Sequence, residues 1–532
     1  MPPTPRMTGR LLSLVSLLAL ASLAPQVAHA GIQCPFPPEP APVVPQFRVE
    51  APGDSLWPLG ADGSIVFQPA SAITSDRNSV NYNNLCEPGG LFGTERFQDV
   101  AVLEDDPRWL FVATNSGLSV WDLSLDPASP RRIAVREGFA SSSGFALFPP
   151  PGEGDVYVEA IDAVTSPSGS AIYVALAGRS GHGLSLWRFN PQDRSLSQIF
   201  QQASRTVRDV ELANHGGRTY AFAADPSASR GGIVVFDVTS ADDQAGGSPC
   251  FDDEFQPNLC PQETGNVGAI DSALYVDLLE AGGSIFAVAS DGSELPVDQL
   301  HVEIWQVPNP ARPDLPPFGE SVRRFEGLGD NSRGVQLVEI SGRRFLAVID
   351  ADLFLDRYTV SAYDASPCFE MGTAGCSDLG PPLWSEELPS TSGNLQFLSA
   401  SRSGLRTFLY YGLESTPSSG TRLEQLFDIT DLPNLGAGEG EIYEVTDAGA
   451  QYLDPMSGEA VDYWGDYYSN NTYGLNNVLP RNGRFLGALF YRAANGILDI
   501  HRVNLDPPEI LFLDDFESGG CGRWSAEVGG PC

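Results

Sequence analysis

The sequence predicts an all-β fold: a β-propeller, seven-bladed with eight blades as the alternative, built of four-stranded antiparallel blades. The first observation behind this is a repeat. A strand-like run, a turn and an apolar stretch ending in an aromatic recur seven times, most clearly as Leu118-Ser-Val-Trp-Asp-Leu-Ser124, Leu184-Ser-Leu-Trp-Arg-Phe-Asn190 and Ile233-Val-Val-Phe-Asp-Val-Thr239. Weaker copies surround Trp305, Tyr363, Phe427 and His501. The second observation is turn chemistry, since Gly, Asn and Asp sit between the apolar runs as antiparallel hairpins require. The third is physical. One four-stranded sheet cannot bury both faces alone, so a repeated sheet must stack on its neighbours.

The chain opens on a segment outside the fold. Arg6 and Arg10 precede the apolar run Leu11 to Leu23, and Ala28-His29-Ala30 reads as a cleavage site, so residues 1–30 are predicted to be a signal peptide. The apolar run is too short for a stable membrane anchor, and no later segment has the length of a transmembrane helix. The expected product is secreted, extracellular or periplasmic, or displayed at the cell surface. Residues 31–63 are rich in Pro and read as an extended N-terminal arm, with the propeller over 64–513.

The first full unit is the clearest. Phe97 to Leu103, Trp109 to Thr114, Leu118 to Ser124 and Arg131 to Glu137 read as four strands, with Asn115-Ser-Gly117 as a tight turn. Later units start near Ala160, Val207, Ala273, Val335, Leu395 and Asn476. The anchor positions Trp121, Trp187, Phe236, Trp305, Tyr363, Phe427 and His501 lie roughly 50 to 75 residues apart, longer than compact propeller repeats. The excess, notably 240–268, 366–390 and 436–474, reads as loop, where function usually sits. Ring closure needs an outer strand for the last blade, from Ser64 to Gln68 or from Ile510 to Leu513. An eighth blade would instead use Ser64 to Val80.

Eight cysteines follow the leader, an even set that in an exported chain reads as disulfides. Two local pairs echo each other, Ser-Pro-Cys250-Phe with Cys260 and Ser-Pro-Cys368-Phe with Cys376. Cys521 with Cys532 would close the tail, leaving Cys34 with Cys86. The formal net charge is −37, and no lysine occurs. Such a surface repels nucleic acid and anionic membranes, and the missing lysines exclude Schiff-base chemistry.

The aromatic–Asp–x–Ser/Thr runs Trp121-Asp-Leu-Ser124, Phe236-Asp-Val-Thr239 and Phe427-Asp-Ile-Thr430 resemble exported bacterial propellers of the LVIVD-repeat type. Tyr463-Trp-Gly-Asp-Tyr-Tyr468, Pro480 to Phe485 and Phe490-Tyr-Arg-Ala493 are similar to the last blade of such proteins. The final Asp514-Asp-Phe-Glu-Ser-Gly519 with Arg523-Trp-Ser525 resembles a C-terminal motif of exported bacterial proteins. That resemblance implies a role for residues 514–532 in sorting or display.

Two groups of residues are candidate sites. Tyr463, Trp464, Asp466, Tyr467, Tyr468 and Asn470 combine aromatic faces with carboxylate and amide acceptors, which suits a sugar or a cationic ligand. The same aromatics would equally pack a long loop onto its blade. Asp99, Asp162 and Asp209 lie about ten residues before the second strand of their units, with no Asp expected there in later blades. They would converge on the axis and hold Ca2+ through oxygen ligands, or each would bond the backbone of the adjacent blade. Asp252-Asp-Glu254 and the Asp350, Asp352, Asp356 group read as solvated acids, since no complete calcium-loop pattern appears. Of the histidines His182, His215, His301 and His501, none falls in a known catalytic motif.

The sequence therefore supports a non-enzymatic binding scaffold for a protein or glycan at the cell exterior, with the chain a monomer. A metal-dependent hydrolase of the propeller lactonase or phytase kind, using channel carboxylates, is the alternative. A structural surface protein displayed through its tail is a third.

Overall fold

The computed structural model describes most of residues 97–447, with gaps at loops, and strand backbones at 47–48, 66–74, 451–453, 460–462, 472–478 and 487–504. The chain is all-β in its main elements. Successive antiparallel sheets follow one another along the sequence. The first joins Phe97–Val102, Trp109–Thr114, Gly117–Asp122 and Arg131–Glu137; the second joins Val158–Thr165, Ile172–Gly178, Leu184–Asn190 and Ser195–Gln202. The third begins at Asp209–His215, the fourth at Ala273–Ala281, the fifth at Val335–Ile340 and the sixth at Leu395–Ser403. A further set, Thr472–Val478, Gly487–Ala494 and Ile497–Asn504, is completed on its outer side by Val66–Thr74.

The outer strand of this set is therefore the N-terminal one. Val66–Thr74 pairs antiparallel with Ile497–Asn504 and, over two residues, parallel with Tyr443–Asp447, so it joins the last sheet rather than opening its own. Ile510 to Leu513 lies outside the described residues. The first strand of each sheet lies beside that of the next, and Thr472–Val478 lies against both Leu395–Ser403 and Phe97–Val102. No sheet closes on itself by hydrogen bonds among the described residues.

The core sits between sheets. The first and second share Trp109, Phe111, Leu176 and Phe189; the second and third share Leu186, Phe200, Ala221 and Phe236. An aromatic pair marks several of these interfaces. Trp109 meets Phe189 edge-on at 5.1 Å, Phe200 meets Phe236 at 5.6 Å, and Trp384 meets Phe427 at 4.9 Å. Such pairs add about 0.5–1.5 kcal/mol beyond the area they bury.

The repeat has a hydrogen-bonding logic. In Leu118-Ser-Val-Trp and Leu184-Ser-Leu-Trp, the serine hydroxyl accepts the indole N–H two residues on, at 2.9 Å in both cases. Ser185 and Trp187 are both buried. Ser185→Ala is therefore expected to cost about 1–3 kcal/mol, because the indole donor is left without its partner; urea unfolding measures this, and a loss below 0.5 kcal/mol (roughly, given extrapolation error) would refute it.

The Asp–x–Ser/Thr ending also has a reason. Asp122, Asp364 and Asp428 each accept the backbone N–H two residues on, at 2.9–3.1 Å, which turns the chain out of the third strand. The hydroxyls of Thr239, Ser366 and Thr430 then accept the backbone N–H of Thr219, Arg344 and Thr407 at the start of the second strand. In the third and fifth sheets an Arg at that same edge, Arg218 or Arg343, reaches the motif's Asp237 or Asp364.

The long connections hold more structure than the sequence suggested. Within 240–268, a helix at Val238–Ala245 is followed by Cys250–Phe251 and by Glu263–Val267, the fourth strand of the third sheet. Trp384–Leu388 and Tyr443–Asp447 are likewise fourth strands. Such outer strands have few apolar partners, so alternation is faint; Trp384–Leu388 is largely exposed. Both Ser-Pro-Cys-Phe segments dock backward. Cys250–Phe251 pairs parallel with Phe200 and Gln201 of the preceding sheet. The 3-10 turn Ser366–Phe369 buries Cys368 and sets Phe369 edge-on against Phe286 of the fourth sheet, 4.6 Å between centroids. Cys34, Cys86, Cys260, Cys376, Cys521 and Cys532 lie outside the described residues, as do the leader, most of the arm and the tail. Among the described residues, no helix is long and apolar enough to cross a membrane.

Candidate functional site

The first strands of the sheets enclose a cavity of about 600 Å3. Its lining is acidic: Asp99, Glu159, Asp162, Asp209, Glu211, Asp277, Glu280 and Glu339, with Arg208 as the one basic residue of the lining among the described residues.

The structure brings Asp99, Asp162 and Asp209 to this cavity and gives them one job in common. Asp99 accepts the N–H of Ile161 at 2.9 Å and, through its other oxygen, that of Val100 at 2.8 Å. Asp162 accepts from Leu212 at 2.6 Å. Asp209 accepts from Val276 and from Val210, both at 3.0 Å. Each thereby bonds the backbone of the following sheet, the second of the two arrangements the sequence allowed. Among the described residues, no three His, Cys, Asp or Glu side chains are disposed to hold a metal ion.

Two residues that sequence reasoning missed complete the set. Asp277 accepts the N–H of Leu337, so the fourth sheet does carry an inner aspartate, contrary to expectation, and the latches run unbroken from the first sheet to the fifth. It escaped notice because it lies nearer its hairpin: across two-residue Gly turns of equal length, Asp277 is four residues before Ala281 where Asp209 is six before His215, which puts Asp277 only seven residues before Ser284. The usable signal is an aspartate followed by apolar residues, as in Asp99-Val-Ala, Asp162-Ala-Val and Asp277-Leu-Leu. Glu211 is the second. Its carboxyl is hydrogen-bonded to Asp162.

Burial and mutual repulsion raise the whole cluster. Burial pushes Asp162 and Asp277 up to about 7 and Asp209 to about 6, while the backbone N–H bonds pull the other way. Asp99 is held well above the usual carboxylate range by burial, with Asp209 and Asp162 adding repulsion. Glu211 is raised by burial and then by Asp162, Asp277 and Asp209. A carboxyl pair sharing a proton, with Glu211 donating to Asp162, accounts for both members. Arg208 answers a different acid, gripping both oxygens of buried Glu159 at 2.6 and 2.8 Å.

The other predicted residues scatter. His182 is wholly buried beneath the second sheet, lowered to about 3 by burial, with Nε2 3.3 Å from the Ser185 hydroxyl. His215 ends an inner strand and His301 opens a third strand, in separate sheets. Asp350 and Asp352 fall in the strand Arg343–Asp352, paired with Thr359 and Arg357, and not in a calcium-type loop. Tyr463, Trp464, Asp466, Tyr467, Tyr468 and Asn470 lie outside the described residues, as do Asp252 to Glu254 and Asp356.

The fold and this site define an all-β protein of consecutive antiparallel sheets whose inner strands surround an acidic cavity. No family model matches the chain, and no curated protein matches it. Solved structures align with it at low similarity. The hydrazine synthase of Kuenenia stuttgartiensis is 12% identical with a TM-score of 0.39, over 69% of this chain and 94% of that one. The Dos1 propeller is 9% identical at 0.36, over 77% and 78%. An ancestral GH74 enzyme is 11% identical at 0.40, over 78% of this chain and 49% of its own. These figures carry nothing over about substrate or partner.

Proposed function

We propose that the chain is a seven-bladed propeller exported from the cell, working as a binding scaffold for a protein or glycan. One observation favours the scaffold reading. The inner carboxylates that catalysis would need are engaged in holding sheet to sheet, four latches in series. On this reading, function lies on loops such as 463–473, whose aromatics and acceptors suit a sugar face. The cysteine pairs Cys250–Cys260 and Cys368–Cys376 would brace neighbouring loops.

The test is a glycan array probed with the purified chain, repeated with Tyr467→Ala and Tyr468→Ala. Saturable binding that both substitutions weaken at least tenfold is the expected result. Binding unchanged by either would remove that loop from the reading.

The acidic lining favours one second reading, a hydrolase that draws Ca2+ into the cavity. The scaffold reading expects EDTA to leave the melting temperature unchanged and expects no turnover of lactones, aryl esters or phytate. A melting shift of several degrees on chelation, with hydrolysis restored by Ca2+, would overturn it in favour of the enzyme.

A further inference from the structure

The latches and the cavity together carry an inference beyond binding. We propose that the inner carboxyls form a proton-held brace: they keep protons while the sheets are together and give them up as the sheets part, so this arc of the fold is tightest in acid and loosens towards neutral pH.

The geometry comes first. Asp99, Asp162, Asp209 and Asp277 are not surface acids near one another by accident of sequence. Each hydrogen-bonds a backbone N–H of the next inner strand, so four successive sheet junctions depend on four carboxyl groups. All four line the same cavity, and parting any junction opens its carboxyl to water.

The charges facing them can be taken sheet by sheet. The first sheet presents Asp99; the second, Asp162 and Glu159; the third, Asp209, Glu211 and Arg208; the fourth, Asp277 and Glu280; the fifth, Glu339. The sixth presents Leu398, Ser399, Ala400 and Thr407, none of which changes charge near neutrality. Arg208 is drawn off by Glu159, and Glu339 lies 3.1 Å from Arg344. Among the described residues, no cation of the lining is therefore directed at the Asp162–Glu211 pair, and full ionisation would set like charges against each other.

The sign follows from linkage. In the unfolded chain Asp and Glu titrate near 3.9 and 4.3. In the folded cavity the cluster is raised, to about 6 for Asp209 and about 7 for Asp162 and Asp277. The folded state then binds more protons than the unfolded state between roughly pH 4 and pH 7, so stability falls as pH rises through that window and levels above it. Each retained proton multiplies the unfolding constant by about ten per pH unit across the window.

Urea unfolding of the full chain from pH 4.5 to pH 8, at fixed ionic strength, tests the proposal. The wild type should lose stability steeply up to about pH 7 and then flatten. Glu211→Gln keeps a donor to Asp162 without a charge to gain, and Asp162→Asn removes the acceptor's charge. Each should flatten the slope by about one proton, matching wild type at pH 4.5 and being more stable than it at pH 7.5, with an unfolding constant smaller by about tenfold or more. Glu386→Gln, on the exposed outer strand Trp384–Leu388, controls for the chain's overall negative charge and should run parallel to wild type.

Amide exchange adds a local readout that needs no variant to fold. The N–H groups of Leu212, Val276 and Leu337 should lose protection towards pH 7.5, beyond the ordinary base dependence of exchange, and beyond any loss at Ala221 in the core between second and third sheets. A flat wild-type profile would overturn the brace. So would Glu211→Gln and Asp162→Asn profiles parallel to Glu386→Gln, or equal exchange at latched and core amides.

Discussion

Gly183→Ala is expected to cost more than about 4 kcal/mol, a large part of the stability of an ordinary domain. Gly183 sits between buried His182 and the strand Leu184–Asn190 with φ +64°, a left-handed conformation that an L side chain resists. The larger obstacle is space. A Cβ there would stand 1.8 Å from the carbonyl oxygen of Gln202 and 3.1 Å from that of Arg205. Both are backbone atoms, so no side-chain rotation gives relief. The strand cannot easily retreat either. Gly178 donates its N–H to the Gly183 carbonyl at 2.8 Å, and Val207 donates to Gly178 at 2.9 Å, tying the turn to the start of the third sheet. The urea midpoint and slope of Gly183→Ala against wild type measure the loss. A cost under about 1 kcal/mol would mean that this backbone yields and that the close approach is not fixed.

That glycine was not legible in the sequence, and the reason separates what pattern reveals from what it hides. Strands packed between neighbouring sheets are buried on both faces, so Trp109 to Ala113, Leu184–Asn190 and Ile233 to Asp237 announced themselves as near-continuous apolar runs carrying aromatics. The serine two residues before Trp121 and Trp187, and the acid after Trp121, Phe236, Tyr363 and Phe427, have local partners too, and local partners leave a signature at fixed spacing. Outer strands such as Glu263–Val267 and Trp384–Leu388 each pair with a single strand of their sheet, and the polar Ser385-Glu-Glu387 is exposed, so they read as loop. Close approach of two backbones, as at Gly183 and Gln202, leaves no spacing at all.

The acidic cavity shows the same division. Asp99, Asp162 and Asp209 were found by counting back from the second strand, and the structure does place them together. Counting failed at Asp277, which sits two residues nearer its hairpin than Asp209 does. It could not have found Arg208 and Glu159, which belong to different sheets and meet only because neighbouring inner strands lie side by side.

That pair supplies the second large effect. Arg208→Met is expected to destabilise the chain by about 3–5 kcal/mol at pH 7.5, because it leaves a buried carboxylate without its partner. Glu159 is 2% exposed, and both its oxygens take hydrogen bonds from Arg208 Nη1. Methionine keeps much of the arginine stem's bulk, so the loss reads charge more than packing. The surroundings enlarge it. Glu159 raises Asp209 by repulsion, and with Arg208 gone no basic residue remains in the lining, among the described residues, to offset eight acids. The effect should therefore shrink in acid, where the neighbouring Asp162, Asp209 and Asp277 carboxyls hold protons and repel the stranded charge less. Unfolding of Arg208→Met at pH 7.5 and pH 4.5 decides the matter, with Glu159→Gln/Arg208→Met as the companion. The double variant should recover most of the loss at pH 7.5, since removing both charges removes the stranded one. Equal losses at the two pH values would show that Arg208 acts by packing, and the cavity would then be held together by shape and not by its single countercharge.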